Sequence, residues 1–323
     1  MTAMREDIAR AAGCLRAGLV VAFPTETVYG LGADALNPRA VARIFAIKRR
    51  PPDHPLIVHL PDASYLERWA RDIPDAAYRL AEKFWPGPLT LILKRARIVP
   101  DSITGGQDSV GLRVPGHPVA LALLQQFGGA VAAPSANRFG HVSPTTAQHV
   151  RDELGEEVDM ILDGGPCRVG LESTIVSLLD AQPVILRPGA ISPPQLSAAL
   201  GVAVGLGGVE EKRLRAPGLL AAHYAPSTPL CIAARENLEQ QIRALLAQNK
   251  RVAVIACTQR MEIIPAHYYF LSSDPVSYAH DLYATLRAAD AARYDVLLLE
   301  AVPEDEAWLA VRDRLTRAAQ AHQ

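Results

Sequence analysis

Short apolar runs that alternate with helical patterns are the feature that most constrains the fold of this chain. Residues 4–17 place apolar side chains at helical spacing, and the apolar run 19–23 follows between Gly18 and Pro24, which predicts a helix and then a buried strand. Several later runs follow one another without a crossover helix, so we expect a mixed sheet with flanking helices rather than a wholly parallel sheet. These runs lie at 55–60, 89–93, 109–114, 130–133, 159–163, 173–179 and 183–187, with helical patterns near 63–71, 75–84, 117–127 and 145–154.

A change of composition between residues 201 and 228 divides the chain. This stretch combines glycines, charges and prolines without a sustained period, as linkers do. Beyond it the pattern restarts with alternating strands and helices, which predicts a small Rossmann-like α/β domain with a parallel sheet. The 323 residues are enough for two cores. We therefore predict a first domain at 1–205, a linker at 206–226 and a C-terminal domain at 227–323.

The charge balance excludes a broad electrostatic surface for nucleic acid. The 33 basic and 34 acidic residues leave a net charge of -1, which provides no global field for holding a polyanion. Any anion site must therefore be local. The 6% aromatic content, without interleaved basic residues, also argues against a second interpretation, an RNA-binding module without catalysis.

The cysteines and the N-terminal segment bear on the compartment. Cys14, Cys167, Cys231 and Cys257 show no spacing typical of a zinc site and are interpreted as reduced thiols. Charged residues interrupt the N-terminal segment, and no later run approaches the ~20 apolar residues of a membrane span. We expect a cytoplasmic protein without a membrane segment.

A glycine-rich segment superficially resembles a dinucleotide-binding turn. Residues 30–35, GLGADA, match the pattern G-x-G-x-x-A. However, the preceding strand breaks at Pro24 and the next helix begins only at Pro38, so these glycines cannot place a pyrophosphate on a helix N-terminus. The sequence therefore disfavours a nicotinamide or flavin site here.

Seven separated segments pair a turn with polar groups suited to anions. Taken singly, each has an ordinary structural explanation as a turn or a solvated helix end. They are PTETVYG at 24–30, KRRPPDHPLIVH at 48–59, DSVGLRVP at 108–115, APSANRFGHVSPT at 133–145, ESTIV at 172–176, LRPG at 186–189 and APGLLAAHYAP at 216–226.

In this order and spacing, the segments resemble the threonylcarbamoyl-AMP synthase family, whose members carry a YrdC-like catalytic domain. The resemblance covers nearly the whole chain and implies the longer, two-domain form. It implies a YrdC-like open, twisted mixed sheet followed by the Rossmann-like domain. An alternative within the same fold is a carbamoyl-transfer module like that of hydrogenase-maturation enzymes, but the zinc-finger segments of those longer enzymes are missing here.

The resemblance implies a reaction that joins L-threonine, bicarbonate and ATP into threonylcarbamoyl-AMP, with release of pyrophosphate. Mg²⁺ would arrive with ATP, and its protein ligands are not identified by the sequence. The product would pass to downstream threonylcarbamoyl-transferase proteins that modify tRNA, so any contact of this chain with tRNA would be weak or indirect.

The resemblance also implies two sets of site residues. Lys48 and Arg50 are the catalytic candidates, since phosphate charge must be neutralised where it develops. The implied ATP-binding residues are Lys48, Arg50, His54, Ser109, Ser135, Asn137, Ser143, Arg187 and Tyr224. The implied L-threonine-binding residues are Thr27, His59, Arg113, Ala133 and Ser173.

Four of these residues carry further expectations. Arg113 would hold the threonine carboxylate through its bidentate fork, and His59 is one candidate for the group that removes the amine proton, which the sequence leaves open. Tyr224 would reach over the cleft and contact the nucleotide. Lys48 and Arg113 are treated as site charges, so their loss is expected to leave thermal stability nearly unchanged.

Overall fold

The protein forms two compact units. The computed structural model describes residues 2–208, 215–218, 222–257 and 266–321. One unit comprises Met1–Phe139 and Ser143–Leu219, and the other comprises Gly140–Val142 and Leu220–Gln323. The proposed linker at 206–226 includes residues 209–214 and 219–221, which lie outside the described residues.

A mixed sheet forms the centre of the first unit. Its described strands run in the spatial order β10-β9-β8-β4-β5-β3-β6-β2-β1-β7, with both parallel and antiparallel neighbours. The mixed sheet expected from the sequence is confirmed. The strands are β1 (Val21–Phe23), β2 (Gly30–Asp34), β3 (Ile57–His59), β4 (Leu89–Lys94), β5 (Ser109–Arg113), β6 (Val131–Ala132), β7 (Met160–Ile161), β8 (Thr174–Ser177), β9 (Val184–Arg187) and β10 (Gly205–Leu206).

Helices flank this sheet and bury its main core. Val58, Leu91 and Leu112 from three neighbouring strands are fully buried there, and each such side chain contributes about 1.5 to 3 kcal/mol through burial. The described helices of this unit are α1 (Thr2–Arg16), α2 (Pro38–Lys48), α3 (Leu66–Trp69), α4 (Asp75–Phe84), α5 (Asp101–Thr104), α6 (Pro118–Phe127), α7 (Ala147–Leu154) and α8 (Pro193–Leu200).

Strand β2 arises from the segment that resembled a dinucleotide turn. A Cβ atom at Gly32 would lie 2.7 Å from the Phe23 ring and 2.8 Å from a methyl group of Val131. The glycine is therefore required by close packing against neighbouring strands. Because residues 30–34 form a strand, the strand-to-helix turn of a dinucleotide site is not formed, as the sequence predicted.

Helix α2 has well-defined ends. Asn37 caps its N-terminus by accepting hydrogen bonds from the Arg39 and Ala40 N–H groups, and proline occupies the first helical position. At the other end Arg49 adopts a left-handed conformation (φ 52°), and its N–H contacts the carbonyls of the last turn. The C-terminal end of this helix is therefore capped.

The second unit contains a parallel sheet of four described strands. Its order is β11-β14-β12-β13, and every pair is parallel, which confirms the Rossmann-like prediction. Leu238 and Ile242 of the first helix pack against Val254 in its core. The elements are β11 (Leu230–Ala233), α9 (Arg235–Ala247), β12 (Val252–Ala256), β13 (His267–Phe270), α10 (Pro275–Ala291), β14 (Val296–Glu300) and α11 (Leu309–Gln320).

Two properties of the described chain bear on its surroundings. None of the helices in the described ranges combines the length and apolar character that crossing a bilayer requires. All four cysteines are free thiols, in agreement with the sequence interpretation.

Candidate active site

One face of the mixed sheet carries several of the candidate site residues. Successive residues of a strand point to opposite faces, so Val110 and Leu112 enter the main core while Ser109, Gly111 and Arg113 lie on the other face. Strand β3 runs parallel to β5 and places His59 beside Arg113. The sheet thus brings implied threonine-binding residues from separate segments onto one surface.

Arg113 is buried in a polar environment at the end of β5. It is 4% exposed, its Nη2 donates to Thr27 Oγ1 at 2.9 Å, and its Nε donates to the Gly87 carbonyl at 3.2 Å. Arg113 is therefore a buried charge and not a solvated one. Thr27 is fully buried and also bonds to Thr25 through the hydroxyl oxygens.

Glu26 is a site residue that the sequence reasoning missed. Its Oε1 lies 2.7 Å from Arg113 Nη2, and its Oε2 accepts a hydrogen bond from the Gly116 N–H at 2.8 Å. A buried arginine needs a nearby countercharge. The sequence did contain a candidate for this countercharge, because Glu26 is the one carboxylate in PTETVYG.

His59 is deeply buried. It is 3% exposed, and its ring meets Phe23 edge-on with centroids 6.0 Å apart. Burial, and second the positive charge of Arg113, hold the pKa of His59 well below 6.5. Its Nδ1 has no hydrogen-bond partner within the described part of the chain. A buried ring nitrogen of this kind is suited to a ligand's polar group.

We expect the free energy of unfolding to decline as the pH falls below about 6.5. The pKa of His59 is lower in the folded than in the unfolded state, so the unfolded state binds the proton first. One histidine can contribute at most about 1.4 kcal/mol per pH unit. Burial also lowers the pKa values of His54 and His117, which act in the same direction.

Urea unfolding at pH 7.5, 6.5 and 5.5 would measure this decline for the parent protein and for His59→Gln. The variant should show a shallower slope than the parent protein. An unchanged slope in His59→Gln would refute the prediction.

Ser173 connects the threonine set to the nucleotide set. Its hydroxyl bonds to Thr90 Oγ1 at 2.8 Å and accepts from Arg187 Nη2 at 3.1 Å, while Arg187 Nε donates to the Ser173 carbonyl. Arg187 is 3% exposed and also donates to the Pro217 carbonyl. The structure therefore brings Ser173 and Arg187 together and adds Thr90, which the sequence did not single out.

Lys48 holds the turn at 134–137. Its Nζ donates to the carbonyls of Ser135 and Asn137 at 2.6 Å each, and to Asn137 Oδ1 at 3.3 Å. It is 1% exposed, and burial, with the charge of Arg50 second, lowers its pKa well below 10.5. All three ammonium protons thus serve the turn, so a phosphate oxygen would have to replace one of these acceptors.

A buried hydroxyl and a carboxylate lie on the same side as Lys48. Ser143 Oγ donates to Glu172 Oε1 at 2.6 Å, and both residues are buried. Glu172 directly precedes Ser173 in the chain and acts electrostatically on Lys48. The sequence had identified Ser143 but not Glu172, although the motif ESTIV contains it.

Arg50 and His54 share an aromatic neighbour. The Arg50 guanidinium lies 5.3 Å from the centre of the Phe139 ring, and the His54 ring meets the same ring at 5.2 Å. Arg50 Nη2 also donates to the Pro55 carbonyl at 2.9 Å. Burial, and second the positive charge of Arg50, lower the pKa of His54, which disfavours a second positive charge beside Arg50.

Ala133 and Tyr224 complete the placement of the predicted residues. Ala133 is buried, and its N–H donates to the Ile57 carbonyl at 3.0 Å. Tyr224 belongs to the second unit, where its ring stacks on Tyr283 and the Arg314 guanidinium lies 5.2 Å from its centre. Its contact with the nucleotide stays a prediction.

Metal-ligating side chains do not cluster in the described ranges. Within residues 2–208, 215–218, 222–257 and 266–321, no group of three or more His, Cys, Asp or Glu could hold a metal ion. Mg²⁺ that arrives with a nucleotide retains water and phosphate oxygens as ligands and does not need such a cluster. The magnesium requirement stays a prediction.

Two family models match the chain. Residues 13–189 match the Sua5, YciO and YrdC family, which carries the description "Telomere recombination". Residues 191–320 match the family described as "Threonylcarbamoyl-AMP synthase, C-terminal domain". The two matches together cover both compact units.

Curated relatives and solved structures agree with these matches. Threonylcarbamoyl-AMP synthases of Pyrococcus abyssi and Bacillus subtilis are each 41% identical to this chain, over 319 and 322 residues, covering 96% and 97% of this chain and 93% of each relative. The crystal structure of P. abyssi Sua5 complexed with L-threonine is similar with a TM-score of 0.89 and 40% identity, over 98% of this chain and 95% of that one.

The fold is also shared with HypF. A full-length HypF in the phosphate- and nucleotide-bound form is 20% identical, with a TM-score of 0.52, over 58% of this chain and 30% of that one. At this identity the similarity concerns the fold alone. Two findings favour a synthase over the carbamoyl-transfer module of hydrogenase-maturation enzymes. Residues 191–320 match the synthase C-terminal domain, and synthases align with nearly the whole chain. The chain therefore belongs to the threonylcarbamoyl-AMP synthase family in its two-domain form.

Proposed function

We propose that the protein is an L-threonylcarbamoyladenylate synthase that joins L-threonine, bicarbonate and ATP into threonylcarbamoyl-AMP and pyrophosphate. The observation that carries the proposal is the buried set around Arg113, in which Thr27, His59 and the guanidinium meet on one face of the sheet. The complex of the Pyrococcus abyssi relative with L-threonine supports threonine as the amino acid.

The chemistry needs two bond-forming steps. The amine of threonine attacks the carbon of bicarbonate and, with loss of water, gives a carbamate. A carbamate oxygen then attacks the α-phosphorus of ATP, and pyrophosphate leaves. The substrate supplies the nucleophile in both steps, so the protein contributes positioning and charge stabilisation.

The nucleotide would meet the turn held by Lys48. Ser135 and Asn137 on this turn have short side chains that allow phosphate or ribose to approach closely. Arg50 and Arg187 supply further positive charge, and Mg²⁺ would supply additional charge neutralisation at the phosphates. Ser109 and Ser143 are assigned to the same side by the family resemblance.

We further place the protein in the cytoplasm, where reduced thiols such as its four free cysteines are the rule. The product would be used by tRNA-modifying threonylcarbamoyl-transferase proteins. The near-neutral net charge of -1 favours a weak or indirect contact with tRNA itself.

We expect pyrophosphate release from ATP to require threonine and bicarbonate together. Serine should be a poorer substrate by tens-fold, because one missing methyl group in a fitted pocket costs about 1 to 3 kcal/mol. Mass spectrometry of the products, combined with a pyrophosphate assay, measures substrate and reaction together. Equal turnover of threonine, serine and valine would contradict the assignment of the pocket.

A further inference from the structure

The family resemblance leaves the carboxylate of Glu26 without a role. Glu26 is 3% exposed, and its Oε2 accepts the Gly116 N–H at 2.8 Å. Its Oε1 lies 2.7 Å from Arg113 Nη2, yet it accepts no hydrogen bond of acceptable direction within the described chain. One carboxylate oxygen in the threonine pocket therefore retains an unused acceptor position.

The nitrogens of Arg113 limit how a ligand can bind. Its Nε is engaged by the Gly87 carbonyl, and its Nη2 faces Thr27 Oγ1 and Glu26 Oε1. Its Nη1 makes no hydrogen bond to residues in the described ranges. A ligand carboxylate therefore meets the Nη1 side, whereas the Nε and Nη2 edge that would form a bidentate fork is already occupied.

The side-by-side charges of Arg113 and Glu26 match the two charged groups of an α-amino acid. An α-amino acid carries its carboxylate and its amine on the same carbon atom. When the carboxylate lies on Arg113 Nη1, the amine faces the neighbouring Glu26. Both contacts are then charge-assisted in a buried site, where such contacts are stronger than in water.

We propose that Glu26 accepts a hydrogen bond from the amine of the substrate, so that Glu26 and Arg113 together recognise an α-amino acid. This proposal rests on the proposed function, because it takes threonine as the ligand of Arg113. Glu26 thereby selects for nitrogen at the α-carbon, whereas Arg113 selects for the carboxylate.

Two ligands and one substitution test the proposal by isothermal titration. L-Threonine carries an α-ammonium group, and 2,3-dihydroxybutanoate of the same configuration carries a hydroxyl group in its place. Glu26→Gln keeps an oxygen for the Gly116 N–H and removes the charge. We expect the variant to lose about 10- to 100-fold more affinity for threonine than for the hydroxy acid.

The matched control is Glu300→Gln in the second unit. Glu300 is 2% exposed and likewise accepts a backbone N–H, that of Cys257, at 3.0 Å. This control should leave the affinities for both ligands unchanged. If Glu26→Gln does not fold, Glu26→Asp, which keeps the charge but withdraws it by one methylene group, should still weaken threonine binding selectively.

Three outcomes would overturn the proposal. An equal loss of both ligands would mean that Glu26 only positions Arg113, and a gain for both would mean that it competes with the ligand carboxylate. In either case threonine binding by the parent protein, and with it the proposed function, would stand. If the parent protein bound no threonine, the proposed function and the role of Glu26 would fall together.

Discussion

Replacing Arg113 with methionine is expected to remove most threonine binding and to lower the free energy of unfolding by about 3 to 5 kcal/mol. The loss of stability follows because the substitution leaves the buried carboxylate of Glu26 without its countercharge. The loss of affinity should be about 10- to 150-fold, as expected for a hydrogen bond to a charged group. Urea unfolding and isothermal titration with L-threonine measure the two effects separately.

A double substitution separates these two effects. Glu26→Gln combined with Arg113→Met removes both charges, so we expect much of the stability to return while threonine binding stays lost. Arg71→Met, at an arginine side chain that is 44% exposed, is the control for loss of an arginine in general. Normal threonine binding by Arg113→Met would show that the carboxylate is held elsewhere.

Replacing Lys48 with methionine should weaken ATP binding and also destabilise the fold by about 2 to 4 kcal/mol. Methionine keeps the apolar stem, but the carbonyls of Ser135 and Asn137 lose their shared donor, and an unsatisfied buried polar group costs about 1 to 3 kcal/mol. The turn that presents Ser135 and Asn137 would then be less well ordered. We therefore expect at least a tenfold loss of ATP affinity, measured by titration beside urea unfolding.

Lys83→Met provides the matched control for this effect. Lys83 is exposed on α4, so its replacement should alter neither property by more than about 0.5 kcal/mol. A Lys48→Met variant with normal stability but no ATP binding would assign Lys48 to the phosphates directly. Normal ATP binding would instead remove Lys48 from the nucleotide site.

These expectations revise the interpretation from sequence for both charges. The sequence alone treats Lys48 and Arg113 as site charges that can be removed without a loss of stability. Both are almost completely buried, and both satisfy other buried polar groups. Composition and spacing do not show burial of a charged residue, because it depends on partners from distant segments.

The elements with strong apolar patterns were predictable from the sequence. The runs at 89–93 and 109–114 coincide with β4 and β5, and the helical pattern at 75–84 coincides with α4. Strand β2 was not predictable in this way. Phe23 and Val131 leave no room for a side chain at Gly32, and both come from other strands. Helix α8 was also missed, since two prolines open it.

The candidate site was only partly predictable for the same reason. The motifs named Thr27, His59 and Arg113, and the sheet brings these residues together. Glu26 and Glu172 stood inside two of those motifs, but their partners Arg113 and Ser143 are distant in the chain. Pairing of this kind is a property of tertiary structure, which local patterns do not encode.

The order of strands in the mixed sheet affects how the chain folds during synthesis. Strand β1 pairs with β7, where Val21 lies opposite Met160, and β4 pairs with β8, where Leu89 lies opposite Thr174. Such distant pairings slow folding, because a long loop must close before the contacts form. The pairing of β1 with β7 must therefore wait until most of the unit has left the ribosome, whereas the described strands of the second sheet all lie between Leu230 and Glu300.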